Sequence, residues 1–319
     1  MKQILFHSNQ LGLRGTEVAL YDYAHYNETL LSNQSFICAS KHGDIGAIKK
    51  FQKRFTDIFL YDTFSEVQAY VDVNKIEYAY FIKAGDNDGK VLKNCKNLIH
   101  AVFQHDQPHG DKYVYVSEWL AKKMGHPEDY IPHIVWLPEP ISDYQEVLGI
   151  PNNAIVYGRY GGYNEFDIPF VHEAIWECVN RDKERYFLFM NTKPFCADHP
   201  QIIHVNSTTN LQGKSNFINT CDFMIHARYQ GESFGLACAE FLFHGKPIIT
   251  YSDSPDQHHY DMVSRTIKNL HRCHFYSTKA DLKVFPEPCY KLGGPDVSIC
   301  VKDFTPGIVM ERFDKIFLQ

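Results

Sequence analysis

The feature that most limits how this chain can fold is a regular alternation of short apolar runs with segments of helical spacing. Continuous apolar runs of this length are typical of parallel strands that are covered on both faces. The helical segments between them include Glu17–Tyr26 and Phe64–Val73. The first half of the chain is therefore predicted to form a parallel sheet with helices on both faces. Its predicted strands are Ile4–His7, Ser35–Ala39, Ile58–Tyr61, Tyr78–Ile82, Leu98–Phe103, Tyr113–Val116 and Ile134–Leu137.

The same alternation starts again after a proline-rich segment at 137–153, whose turn-forming residues indicate a hinge. Two consecutive α/β, Rossmann-like doubly wound domains are therefore predicted, at residues 1–145 and 146–302, and two such domains facing each other would leave a central cleft. A final helix at Pro306–Phe317, within residues 303–319, is expected to pack back toward the first domain, whereas 252–302 carry no assignable pattern. The second half is predicted to contain the strands Ala154–Tyr157, Tyr186–Met190, Ile202–Val205, Phe223–His226 and Pro247–Tyr251, and the helices Ile168–Val179, Leu211–Asn219 and Phe234–Phe243.

Composition and charge exclude several classes of protein. The formal net charge of −6 gives no overall cationic field for nucleic acid. The nine cysteines include no C-x-x-C pair, which favours reduced thiols over a disulfide framework. The apolar start is too short for a signal peptide, and no run of about 18 apolar residues could span a bilayer. We expect a soluble, cytoplasmic protein without an integral membrane segment.

Two glutamates eight residues apart mark the most informative motif. Glu232 lies in the loop before a predicted helix and Glu240 lies inside it, with Phe234, Gly235 and Leu236 at the helix start. The N–H groups at a helix start bind anions, and carboxylates accept hydrogen bonds from sugar or ribose hydroxyls. This combination indicates a nucleotide-sugar pocket. Because the helix is apolar nearly all round, a glutamate inside it needs partners, and the alternative interpretation is an internal salt bridge or a solvated helix edge.

Two glycine-containing turns follow predicted strands. Gly158 and Arg159 precede two further glycines, which lets backbone approach a phosphate while the arginine supplies a planar fork of donors. The alternative is a surface arginine in a turn. Gly12 and Gly15 follow the first strand, a position that favours a ligand loop. Arg14, between them, could reach a phosphate or an acidic acceptor, or it could be an exposed loop residue.

Several histidines raise the question of a metal site. His105 ends a strand beside Asp106, but the spacing matches no established metal signature. The remaining interpretations are a polar contact to a sugar and a loop histidine bonded to backbone. The pairs His258/His259 and His271/His274 are interpreted as structural. Ser233 and Cys238 lack partners of a catalytic triad in sequence, so nucleophilic hydrolysis is not supported.

Together these motifs resemble the GT-B glycosyltransferases, and among them the retaining enzymes of family 4. Glu232 and Glu240 fall on that family's E-x7-E pair, and Gly245 and Pro247 fall on its closing Gly-x-Pro. The resemblance covers most of the chain in order and is densest in the C-terminal half. The other matching segments are Gly12–Glu17, Val102–Asp106, Val116–Leu120, Gly158-Arg159 and Asn219–Arg228.

The resemblance implies a metal-independent, retaining transfer of a sugar from a UDP-, GDP- or ADP-sugar to a hydroxyl of a glycan, lipid-linked or small-molecule acceptor, without a cofactor. It implies an N-terminal acceptor-side domain and a C-terminal donor domain. Glu232, Arg159 and His105 are the implied catalytic residues, with Glu232 and His105 on the sugar. The donor-binding residues are predicted to be Gly12, Arg14, Gly15, Gly158, Lys193, Asn206, Phe234, Gly235, Leu236 and Glu240, the last of these on the ribose.

The chain departs from the family pattern at two places. A lysine that usually pairs with the arginine on the diphosphate is replaced by Asn164, so Lys193 or another cation would have to compensate. The usual Gly-Gly-x-x-E loop is absent, and Ser252–Asp256 stands there. Two alternative functions therefore stay open, a non-catalytic nucleotide-sugar binding protein and a sugar-nucleotide epimerase of similar fold.

Overall fold

The computed structural model describes residues 1–264, 273–288 and 296–319. It divides into two compact units, one made of Met1–Ile134 with Asp303–Gln319 and the other of Val135–Lys302. No helix in the described ranges combines the length and the apolar character that a membrane crossing needs.

The first unit contains a six-stranded sheet with the order β3-β2-β1-β4-β5-β6, in which every strand pair is parallel. All six residues of the central strand Tyr78–Lys83 are buried, as expected for a sheet covered on both faces. The predicted parallel sheet is confirmed. The elements are β1 (Gln3–Gln10), α1 (Gly15–Thr29), β2 (Gln34–Ser40), α2 (Ile45–Arg54), β3 (Ile58–Tyr61), α3 (Glu66–Asn74), β4 (Tyr78–Lys83), β5 (Lys96–Ala101), β6 (Lys112–Tyr115) and α4 (Glu118–Lys123).

One predicted strand of this sheet is wrong. Residues 134–137 form no strand, although Ile134, Val135 and Leu137 are buried. The position beside β6 is taken instead by the segment at Tyr130, because the Ile131 N–H donates to the Tyr115 carbonyl at 2.9 Å. The apolar run is therefore explained by packing and not by strand pairing.

The second unit repeats the architecture with the order β14-β12-β10-β7-β8-β9, again all parallel. The segment after 252, which had no predicted structure, contains short elements in its described part. The elements are α5 (Gln145–Leu148), β7 (Ile155–Tyr160), α6 (Pro169–Arg181), β8 (Arg185–Met190), β9 (Ile202–Val205), α7 (Leu211–Thr220), β10 (Phe223–His226), β11 (Gly231–Glu232), α8 (Leu236–Phe243), β12 (Ile248–Tyr251), β13 (Asp256–Gln257), α9 (His258–Ser264), β14 (His274–Tyr276) and two 3-10 helices, Lys279–Leu282 and Val297–Phe304.

The C-terminal segment belongs to the first unit. Helix α10 (Pro306–Phe313) contacts α1 and continues as a π-helical turn, Asp314–Leu318. The ring of Phe313 stacks on that of Tyr23 at 5.4 Å between centroids. The predicted helix over Pro306–Phe317 therefore exists, although its last turn is π-helical.

Candidate functional site

The candidate site of the second unit lies at the carboxyl end of its central strands. The chain runs from β7 through β8 to β9 on one side of the sheet, and from β10 through β12 to β14 on the other. The carboxyl ends of β7 and β10 therefore flank the point where the strand order reverses, which is where open α/β sheets bind ligands. Arg159 lies near the end of β7, and Glu232 follows β10 in the short strand β11.

Arg159 is a buried cation with neutral partners. Its side chain donates to Thr192 Oγ1 at 2.6 Å and to the Gly162 carbonyl at 3.0 Å, and the residue is 4% exposed. Among the described residues no carboxylate lies within 4.0 Å of it. Burial lowers its pKa to about 10, so it remains charged at neutral pH. Glu165 and Glu232 attract this cation from beyond hydrogen-bond distance. A buried cation whose direct partners are neutral is costly, and a bound anion would stabilise it further.

Helix α8 begins beside this arginine. Its N-cap, Gly235, has a φ of 84°, and no described side chain caps the first turn. The first N–H groups of α8 therefore lack intrahelical acceptors and are available to an anion. Arg159 and Cys238, in the first turn of α8, interact electrostatically, which places the guanidinium near the helix start. The flanking Phe234 and Leu236 are 2% and 9% exposed and anchor this helix start in the core.

Glu232 is held by two donors. His226 Nε2 lies 3.1 Å from Oε1, and since a carboxylate only accepts hydrogen bonds this nitrogen must carry the proton. Arg228 donates to Oε2 at 3.1 Å and also pairs with Glu165 at 3.3 Å. Burial raises the pKa of Glu232, but His226 and Arg228 outweigh it and bring it to about 2. The carboxylate is therefore ionised, and each oxygen keeps a lone pair for a ligand hydroxyl.

Glu240 is buried, and each of its oxygens accepts one hydrogen bond from a side chain of the same unit. Lys214 donates to Oε1 at 2.6 Å, and the Tyr160 hydroxyl donates to Oε2. Glu240 is 3% exposed, and the side chain of Lys214 is 13% exposed. The internal ion pair that the sequence left open as an alternative is thus present, and it still leaves one lone pair on each carboxylate oxygen.

The other predicted donor-binding residues of this unit lie in different surroundings. A Cβ on Gly158 would come within 2.1 Å of Cys221 Sγ, so close packing accounts for this glycine. Lys193 and Asn206 are exposed and follow β8 and β9 at the same edge of the sheet. The Asn164 side chain is exposed as well.

The remaining predicted residues belong to the first unit. Gly12 and Arg14 lie between β1 and α1, and Gly15 is the first residue of α1, with Arg14 as its exposed N-cap. His105 follows β5, and its carbonyl accepts from the Tyr113 hydroxyl at 3.0 Å. No group of three or more potential metal ligands occurs in the described parts of the chain. His271 lies outside the described residues.

Three residues of the site were not found from the sequence: His226, Arg228 and Lys214. His226 ends β10 and Arg228 follows it in the loop before Glu232. Two hydrogen-bond donors this close to a glutamate were the available signal. Lys214 comes from α7, 26 residues before Glu240. The need of a buried glutamate for a partner was evident, but no spacing pointed to this lysine.

Comparison with known proteins identifies the fold. No family model and no curated protein matches this chain. Among solved structures, Anabaena HepE in complex with UDP-glucose is 11% identical with a TM-score of 0.70, covering 99% of both chains. A glycosyltransferase from Rickettsia africae is 12% identical with a TM-score of 0.63, covering 99% of this chain and 98% of that one. A putative UDP-N-acetylglucosamine 2-epimerase from Listeria monocytogenes is 10% identical with a TM-score of 0.55, covering 98% and 95%.

These structures match the chain over nearly its whole length. The two predicted Rossmann-like domains are thereby confirmed, and the architecture is the GT-B fold that the sequence resemblance implied.

Proposed function

We propose that this protein transfers a sugar from a nucleoside-diphosphate sugar to an acceptor hydroxyl, with retention of configuration and without a metal ion. The observation that carries the proposal is Arg159, a buried cation with no carboxylate partner among the described residues, beside the uncapped start of α8. Both features suit a diphosphate. We favour a UDP-sugar as the donor because the similar Anabaena structure contains UDP-glucose.

The chemistry demands stabilisation of a leaving group. As the bond between the sugar C1 and the diphosphate oxygen breaks, its electron pair goes to the nucleoside diphosphate. Arg159 and the first N–H groups of α8 would stabilise that developing charge. The acceptor oxygen would form the new bond to C1 on the same face, and its proton would pass to the departing phosphate. No protein nucleophile is required.

The two glutamates would orient the donor. Glu232, ionised and held by His226 and Arg228, would accept hydrogen bonds from sugar hydroxyls. Glu240, held by Lys214 and Tyr160, would accept hydrogen bonds from the ribose. Lys214 also supplies a cation in a site that lacks the family's usual lysine.

Epimerisation of the nucleotide sugar is the second candidate. The similarity to the putative epimerase from Listeria monocytogenes favours it. An epimerase would convert the donor without any acceptor and would release an altered UDP-sugar or a free sugar.

Product analysis distinguishes the two. We would incubate the full chain with UDP-glucose or UDP-N-acetylglucosamine and a panel of sugar alcohols and monosaccharides, with and without EDTA. Transfer predicts UDP and a glycoside that retains the anomeric configuration, in equal amounts and in the presence of EDTA. Changed UDP-sugar in the absence of acceptor would support the epimerase, and no turnover of any donor would contradict both.

A matched pair of variants assigns the activity to the site. Glu232→Gln removes the charge that orients the sugar and should lower kcat/KM roughly 10- to 100-fold, the value of one charged hydrogen bond. Glu146→Gln, on an exposed residue of α5, should match the wild type. Equal activity in both variants would remove Glu232 from the mechanism.

A further inference from the structure

One carboxyl group of the first unit is buried without its full set of partners. Glu17, in the first turn of α1, is 5% exposed. Its Oε1 accepts from the Ser8 hydroxyl at 3.2 Å, whereas Oε2 makes no hydrogen bond to any described residue. A buried polar atom without a partner is rare in native structures and calls for an explanation such as a bound ligand.

Few described atoms surround the position of a side chain at Gly12, next to this carboxyl. A Cβ placed on Gly12 would have only the Glu17 carboxyl within 4 Å among the described residues, with Oε2 at 3.8 Å. A Cβ placed on Gly15 would meet no atom of the described ranges within 4 Å. Gly12 therefore places no side chain beside the carboxyl. Oε2 itself is buried, so a ligand hydroxyl would contact it only after the 12–15 segment shifts.

The position in the fold is that of a binding site. Ser8 lies near the carboxyl end of β1, and the strand order of the sheet reverses between β1 and β4. The carboxyl ends of the strands on either side of such a reversal form the crevice where α/β sheets hold ligands. Glu17 thus faces the corresponding edge of the first sheet.

The surroundings select a hydroxyl group over an ion. The first N–H groups of α1 have no intrahelical acceptor, and the side chain of the N-cap residue makes no hydrogen bond to them. With Arg14 as the N-cap, they disfavour a cation. The Glu17 carboxyl disfavours an anion. A hydroxyl satisfies both sides, because it can donate to Oε2 and accept from a helix N–H.

We propose that Glu17, Ser8 and Gly12 form a subsite for a hydroxyl group of the acceptor, with Glu17 Oε2 as its hydrogen-bond acceptor. The ligand class is a sugar or another polyol. The assignment of this hydroxyl to the acceptor rests on the transfer reaction proposed above. The hydroxyl-binding site itself is argued from the first unit alone and does not depend on that reaction.

Stability of the free protein gives the first test. Burial raises the pKa of Glu17, against the effects of Thr16, its own N–H, Ser8 and Arg14. A raised folded-state pKa means that the contribution of this group to stability is present below the unfolded pKa and is lost as pH rises through the folded pKa. The isosteric Glu17→Gln variant should therefore melt at or above the wild type, with a larger difference at about pH 8 than at about pH 5. If Glu17→Gln melts well below the wild type at the higher pH, the Glu17 carboxylate already has stabilising partners within the protein. That result would overturn the proposal.

Ligand binding gives the second test. Melting temperatures are measured with glucose, galactose, mannose and N-acetylglucosamine, for the wild type, Glu17→Gln and the control Glu128→Gln, whose side chain is exposed in the same unit. A sugar that stabilises the wild type and the control but not Glu17→Gln supports the site. Equal shifts in all three proteins, or no shift with any sugar, would overturn it. UDP titrated into the same proteins tests the nucleotide site independently, and its binding should not depend on Glu17.

Discussion

At the scale of single residues, the ion pair between Lys214 and Glu240 is the contact with the clearest consequence. Asn164, where the enzymes that the sequence resembles usually have a lysine, is exposed, while Lys214 brings a positive charge to a carboxylate predicted to bind ribose. Removing one partner of such a buried pair leaves an uncompensated charge, which costs about 3–5 kcal/mol.

Lys214→Met should therefore destabilise the protein and reorient Glu240. We expect weaker UDP binding and a smaller preference for UDP over 2′-deoxy-UDP, because Glu240 would no longer be held toward the ribose. Calorimetric titration of both nucleotides measures the two quantities.

Two controls separate positioning from general damage. Lys214→Arg keeps the charge and should restore much of the preference, whereas Lys183→Met, on an exposed lysine after α6, should behave as the wild type. A preference for UDP that persists in Lys214→Met would show that Lys214 does not position Glu240.

The sequence located the central side chains of the site but not their partners. Arg159 and Glu232 could be found because Arg159 lies near the carboxyl end of β7 and Glu232 lies a few residues after β10, beside motifs that the sequence shows. The hydrogen-bond partners of Glu240 could not be found from the sequence. Tyr160 and Lys214 come from β7 and α7, and only the packing of these elements brings them together. Gly158 was predicted to bind the donor, but the structure gives it a packing role. A side chain at this position would clash with Cys221.

At the scale of elements, two glycines in the left-handed region fix the loop and the helix around the glutamates. Gly231 has a φ of 75°, and a Cβ there would lie 1.9 Å from the Asp256 carbonyl oxygen. Gly245, just after α8, has a φ of 70°, and among the described residues the atom nearest to a Cβ there lies 3.9 Å away. The two positions share a backbone conformation and differ in available space.

We expect Gly245→Ala to cost about 1–2 kcal/mol, the strain of an alanine in the left-handed region. Gly231→Ala should cost clearly more and should also weaken UDP-sugar binding, because strand β11 carrying Glu232 must move away from β13. Urea unfolding and nucleotide titration of both variants provide the measurement. Equal costs would contradict the close approach at Gly231.

Strands were predictable where apolar runs were continuous and bounded by turns, as at Ile202–Val205 and Phe223–His226, whose bounds agree fully with the structure. The run at 134–137 satisfied the same pattern, but the neighbouring edge of β6 already had a partner. Pairing is a tertiary property that local composition does not encode. The short β11, β13 and β14 depend on such pairing and were missed.

At the scale of the whole molecule, the chain uses one architecture twice. Each unit has a six-stranded parallel sheet whose strand order reverses beside its first strand, and each places unusual polar groups at the carboxyl end of that strand. In the second unit these are Arg159 and the start of α8, and in the first they are Ser8 and Glu17. The two sets of polar groups differ in charge. The set in the second unit therefore favours an anion, and the set in the first unit favours a hydroxyl group.

The central claim is that the second unit holds a diphosphate through Arg159 and the start of α8. Its most direct test is calorimetric titration of UDP and of uridine into the wild type, Arg159→Gln and the control Arg181→Gln, an exposed arginine of α6. We predict that UDP binds the wild type and the control much more tightly than uridine does, and that Arg159→Gln weakens UDP binding roughly 10- to 100-fold while leaving uridine unchanged. Equal affinities of Arg159→Gln and the wild type for UDP would contradict the account.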